Sequence, residues 1–95
     1  MLPEGKLVGA GGCFYFNDTT YDTSADPTKN TVNAIAVHGA PVISELEDKD
    51  GDALAKYGLD GTPTLVEGML ITAKRDKPFT KIVFSTADAV MLYTN

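Results

Sequence analysis

A chain of 95 residues with 43% hydrophobic and 22% charged residues has the make-up of one folded domain; it is too short for a second core and too apolar for intrinsic disorder. Thirteen acidic against eight basic side chains leave a net charge of -5, which repels a polyanion at long range and argues against nucleic acid as a partner. Cys13 is the only cysteine, so no intrachain disulfide can form and packing must hold the fold, as suits a reducing compartment.

The opening Met1-Leu2-Pro3-Glu4-Gly5-Lys6 breaks up the apolar stretch a signal peptide needs, so the chain is expected not to be exported by one. Apolar runs of only a few residues predict no membrane-spanning helix. The sequon Asn17-Asp18-Thr19 then reads as chance. An apolar segment over Lys6 to Val8 leads through Gly9-Ala10-Gly11-Gly12 into Cys13-Phe14-Tyr15-Phe16. Successive aromatics favour a strand, and the glycines ahead of it a bend.

From Asn17 to Asn30 the chain is Asn, Asp, Thr, Ser and Pro apart from Tyr21, Ala25 and Lys29, which predicts a long loop. Tyr21 has no evident core role there: either it anchors a partner surface or the loop folds back and buries it. Thr31 to Val37 reads as a strand closed by a turn at His38-Gly39-Ala40-Pro41. Ser44-Glu45-Leu46-Glu47 has the spacing of a capping box at a helix start. Leu54 and Leu59 around Tyr57-Gly58 have the spacing of a Schellman close, with Gly58 as the stop. Asp48-Lys49-Asp50-Gly51-Asp52 between them suits a turn better than a helix, so the expected helix is short, over Ala53 to Tyr57. Thr64 to Ala73 reads as a strand, Lys74-Arg75-Asp76-Lys77-Pro78 as a turn, Phe79 to Ser85 as an alternating strand and Ala89 to Thr94 as a last one. Three sequential strands with short links predict an antiparallel meander. The expected fold is mainly β: a single domain over residues 1–95, a small antiparallel sandwich or barrel-like unit with one short helix around 53–57.

Chemistry-bearing residues are few. The acidic run Glu45, Glu47, Asp48, Asp50 and Asp52 invites calcium, but starting the loop at Asp48 puts Gly51 fourth instead of sixth and Leu59 where a bidentate glutamate belongs. His38 is the only histidine and with Cys13 cannot complete a tetrahedral zinc site. A Cys13 nucleophile activated by His38 needs the two side chains on neighbouring strands and one face; beside the aromatics, Cys13 reads instead as a buried packing residue. The glycines at 9–12 lack the lysine and helix of a phosphate cradle, and Lys74, Arg75 and Lys77 around Asp76 read as a solvated turn. No catalytic residue, metal or cofactor is expected.

What remains is surface. Leu2, Tyr21, Asp22, Pro27, Met91 and Tyr93 are candidate interface residues, in the polar loop or close to the ends of the chain. The Gly-rich first strand over Gly9 to Phe16, the start at Met1 and the closing strands Phe79-Thr80-Lys81-Ile82-Val83-Phe84 and Ala89-Val90-Met91-Leu92-Tyr93 together give a build that resembles the small accessory proteins of tailed-phage particles, which decorate capsids or join head and tail parts. The resemblance implies a non-enzymatic structural role, protein subunits of a larger assembly as partners, many copies or a homo-oligomer, and a place in the virion or host cytoplasm. A small-ligand or regulatory domain, with a pocket between sheet and helix, is the alternative. A small enzyme using Cys13 and His38 is a third reading.

Overall fold

The computed structural model describes residues 12–24 and 29–94. Eight strands account for about half of them: β1 (Gly12–Phe16), β2 (Thr20–Asp22), β3 (Val32–Val37), β4 (Val42–Asp48), β5 (Gly51–Asp52), β6 (Leu70–Thr72), β7 (Phe79–Thr86) and β8 (Val90–Thr94), and the described residues add one 3-10 turn at Ala55–Tyr57. All pairings are antiparallel. One set runs in the order β1-β8-β3-β6 and the other β2-β7-β4-β5, and the two join at the single pair Val32–Phe79. The result is a small sandwich whose sheet is not closed, so the mainly β expectation holds and the barrel does not.

Alternation of side chains explains the two layers. Ile35, Val37, Ile71, Val90 and Leu92 point inward from the first layer, and Tyr21, Ile43, Leu46, Ile82 and Phe84 from the second; all lie in one buried cluster. The segment 53–69 covers one flank. It adds Ala53, Leu59 and Leu65 to the core and is stitched to the strand ends: Leu65 N–H donates to the Pro41 carbonyl at 2.7 Å, and Gly68 N–H to the Val37 carbonyl at 2.9 Å.

The predicted meander is absent. Strand β6 pairs with β3, β7 with β4 and β2, and β8 with β1 and β3, so consecutive strands lie in opposite layers and the links at 73–78 and 87–89 cross between them. The strand expected over Thr64 to Ala73 is also shorter. Only Leu70–Thr72 is strand, preceded by a turn in which Met69 N–H donates to the Val66 carbonyl.

Ser44 and Glu47 belong to β4, not to a helix cap. The expected short helix is reduced to the 3-10 turn, but its close is as read: Gly58 sits at φ 70°, with Gly58 N–H on the Ala55 carbonyl and Leu59 N–H on that of Leu54, the two bonds of a Schellman motif. Within the predicted 17–30 loop, Thr20–Asp22 forms strand β2 along β7. The bend expected at Gly9–Gly12 and the segment Lys6 to Val8 lie almost wholly outside the described residues.

Candidate functional site

The densest polar cluster lies where β4 turns into β5. Asp48 is buried, its side chain 1% exposed, with one carboxylate oxygen 3.1 Å from Lys56 Nζ and the other accepting the Asp50 amide at 2.8 Å. Burial pushes this carboxyl upward, but the Asp50 amide and the Lys56 ammonium outweigh it and hold the group below its ordinary value. Asp50 in turn lies 2.6 Å from Lys77, whose hydrogen bond lowers that carboxyl too. These carboxylates are spent on lysines that tie the β4–β5 hairpin to the 3-10 turn and the 74–78 turn. Among the described residues no group of three or more His, Cys, Asp or Glu is placed to hold a metal ion.

Cys13 and His38 are kept apart. Cys13 lies opposite Tyr93, and Tyr93 opposite Ala34, so His38 is displaced by about 10 Å across two strands and about 13 Å along them. The thiol is exposed, contrary to the buried role expected of it, because among the described residues β1 pairs only with β8 and Cys13 faces away from the core. His38 is exposed in the β3–β4 crossover, its amide on the Ala89 carbonyl. Beside it, Asp88 accepts the amides of Ala40 and Ala89 at 2.9 and 2.8 Å, which hold its carboxyl below the ordinary value.

A shallow depression of about 200 Å³ is lined by Ser44, Glu45, Leu46, Glu47, Asp52 and Leu54. It lies beside the 3-10 turn, where a ligand pocket was envisaged, but carries three carboxylates and falls short of the ~300–1,000 Å³ apolar clefts that enclose small ligands.

The two outer faces of the sandwich differ sharply. On the second layer, Asp22, Lys81, Glu47 and Asp52 are register neighbours across four strands, with Thr20, Val83 and Glu45 alongside. Lys81 meets Glu45 at 3.2 Å, which leaves the face acidic. On the first layer, one outward row is Cys13, Tyr93, Ala34 and Thr72. The next is Tyr15, Met91, Ala36 and Leu70. None of these eight residues is Asp, Glu, Lys, Arg or His, across four adjacent strands, although Ala34 among them is buried at 1%. Tyr15 is 59% and Leu70 62% exposed.

Of the interface residues expected from sequence, Met91 and Tyr93 stand in the middle of this uncharged face, half-buried. Tyr21 is buried at 4%, its ring against Phe14 and Phe16 and its hydroxyl donating to the Asn30 carbonyl at 2.6 Å, so it is a core residue and not an exposed anchor. Asp22 is half-buried on the acidic face and accepts from Ser24. Leu2 and Pro27 lie outside the described residues. Tyr15, Ala36 and Leu70 were not foreseen; their signal is a shared face, which needs the strand pairing to be known.

No family model matches the chain, and neither curated proteins nor solved structures include one similar to it. Among the described residues no helix is long and apolar enough to cross a membrane.

Proposed function

We propose that this domain is a non-enzymatic assembly subunit that docks other protein subunits through the outer face of β1-β8-β3-β6. The observation that carries the reading is the absence of Asp, Glu, Lys and Arg from seven accessible positions around the buried Ala34 in a chain of net charge -5. Depletion of charge with Tyr and Met present is the signature of an interface centre, and exposed apolar patches of this kind mark docking surfaces. The wide separation of Cys13 from His38 and the neutralised carboxylates at Asp48 and Asp50 favour a surface role over catalysis. The finer reading is an accessory subunit of a virus particle, decorating a capsid or joining its parts; its support is the build described from the sequence together with a compact β fold.

Co-sedimentation with high-mass assemblies from the cells that make the protein tests this. Leu70→Lys and Tyr15→Lys place a charge on exposed positions of the face, where folding is little affected. Wild type and a Thr20→Lys control on the opposite face should sediment with the assemblies and the two face variants should remain in the supernatant. Equal behaviour of all four removes the reading.

A further inference from the structure

We infer that Asp60–Gly61 is a site of covalent ageing, where the chain passes through a succinimide to isoaspartate and there becomes a substrate for an isoaspartate O-methyltransferase. The sequence holds two Asp-Gly pairs, Asp50–Gly51 and Asp60–Gly61, and the fold leaves one of them open while it locks the other.

The step balances without an oxidant or reductant. The Gly61 amide nitrogen bonds to Cγ of Asp60, and its proton leaves with the carboxyl's hydroxyl as one water. Water then opens the five-membered ring at either carbonyl. Attack at Cγ restores aspartate; attack at the main-chain carbonyl leaves the chain running through Cγ with a free α-carboxylate, which takes a methyl group from the sulfonium of S-adenosylmethionine. The reaction therefore needs a following residue without a Cβ, so that its amide can be reached, an amide with no other acceptor, and a carboxyl that is not held elsewhere as an anion.

Asp60–Gly61 meets all three conditions. Asp60, Gly61 and Thr62 are exposed, and a Cβ built at Gly61 would meet no atom within 4 Å. Among the described residues the Gly61 amide donates to no acceptor, and the Asp60 carboxylate has neither an ion pair nor a hydrogen bond. The Thr62 hydroxyl donates to the Gly61 carbonyl at 2.8 Å, which leaves the nitrogen free. The nearest backbone anchors lie outside the pair: Leu59 N–H donates to the Leu54 carbonyl and Ile43 N–H to the Pro63 carbonyl. Ring closure at Asp60 thus proceeds without opening the core.

Asp50–Gly51 fails the conditions on its carboxyl and its backbone. One Asp50 carboxylate oxygen lies 2.6 Å from Lys77 Nζ and 3.8 Å from Lys56 Nζ, and the Lys77 hydrogen bond keeps that carboxyl below its ordinary value. The Asp50 amide donates to Asp48 at 2.8 Å, and Gly51 pairs with Asp48 in the β4–β5 ladder. The torsions that would bring Cγ onto the Gly51 nitrogen are fixed on both sides, so reaction there waits for the hairpin to open.

The test is to hold the purified chain for weeks in neutral buffer at body temperature and map its peptides. Isoaspartate, seen as a peptide of unchanged mass and shifted retention, should accumulate at Asp60 in at least about tenfold excess over Asp50, the factor for first breaking one charge-assisted hydrogen bond. Purified isoaspartate O-methyltransferase with labelled S-adenosylmethionine should label the same peptide. Asp60→Glu, which would need a six-membered ring, should abolish the signal there, and Lys77→Ala should raise the signal at Asp50; circular dichroism confirms that both variants are folded. In denaturing urea the wild-type chain should react at similar rates at the two sites, a comparison that needs no variant. Equal accumulation at both sites of the folded chain overturns the inference, and so does an excess at Asp60 that survives in urea. A folded chain that stays unmodified at Asp60 while the unfolded chain reacts, or a folded Lys77→Ala chain with no rise at Asp50, also overturns it.

Discussion

Removing the Asp48 carboxylate tests the account of how the β4–β5 hairpin is held. Asp48→Ala takes away the acceptor of both the Asp50 amide and the Lys56 ammonium at a site where the side chain is 1% exposed. A buried hydrogen bond to a charged group, here the one from the Asp50 amide, contributes about 1.5–3 kcal/mol. Lys56 is 37% exposed, so water compensates most of its loss and that contact contributes about 0.2–1 kcal/mol. Together they set a cost of about 2–4 kcal/mol, a large share of the ~5–14 kcal/mol that a domain of this size commands. At about 4–8 °C per kcal/mol, Tm falls by roughly 10–30 °C. Asp48→Asn retains an oxygen for the Asp50 amide and should cost about 1 kcal/mol.

The pH dependence follows from the same group. Its folded pKa is lowered, so its contribution is complete above the ordinary carboxylate value of about 3.9 and is lost as pH falls through the lowered folded value. Thermal melts of wild type and Asp48→Asn should therefore differ at neutral pH and draw together as pH falls through the lowered folded value of Asp48, below which both carry an uncharged group at this site. A neutral-pH difference near zero, or one that persists undiminished in acid, refutes the reasoning.

Three further substitutions probe the backbone. Gly39→Ala would drive a methyl into the Asp88 carboxylate and displace it from the Ala40 and Ala89 amides; NMR titration should find the Asp88 pKa moved up toward the ordinary range, and an unmoved value would mean the crossover tolerates the methyl. Thr62 holds φ 49°, a left-handed position that a β-branched residue occupies only under strain, so Thr62→Gly should raise stability by up to about 1 kcal/mol in denaturant melts after the entropy cost of glycine. At Gly58, φ 70° in the Schellman close, alanine should cost about 1 kcal/mol by the same assay.

Strands β1, β3, β7 and β8 were legible because each carries aromatic or β-branched residues in succession or alternation, and the close at Gly58 because its leucine spacing is local. The error at Ser44 has a physical cause. Ile43 and Leu46 both face the core although three residues apart, because the register with β7 shifts between Ile43 and Glu45; an irregular strand thereby imitates a helical period. Val32 and Ile35 repeat the pattern across a register shift at Asn33. Strand β2 was missed because an edge strand with one core residue, Tyr21, offers a single signal amid polar neighbours. Layer assignment was beyond reach: the sequence marks a turn at 74–78 but not whether it returns the chain to the same layer or sends it to the other.

The uncharged face was illegible for the same reason. It draws alternate residues from four segments near positions 13, 34, 70 and 91, and only pairing brings them together. Met91 and Tyr93 were singled out for lying near the chain end, whereas what places them on the face is their register opposite Ala36 and Ala34.

Hydroxyl-radical footprinting of the free and assembled protein addresses the functional surface itself, since Tyr15, Met91 and Tyr93 carry readily oxidised side chains. Assembly should protect these three and leave Val83, on the acidic face, reacting as it does in the free chain. Protection centred on Val83 and its neighbours, with Tyr15 and Met91 as reactive as before, would contradict the account.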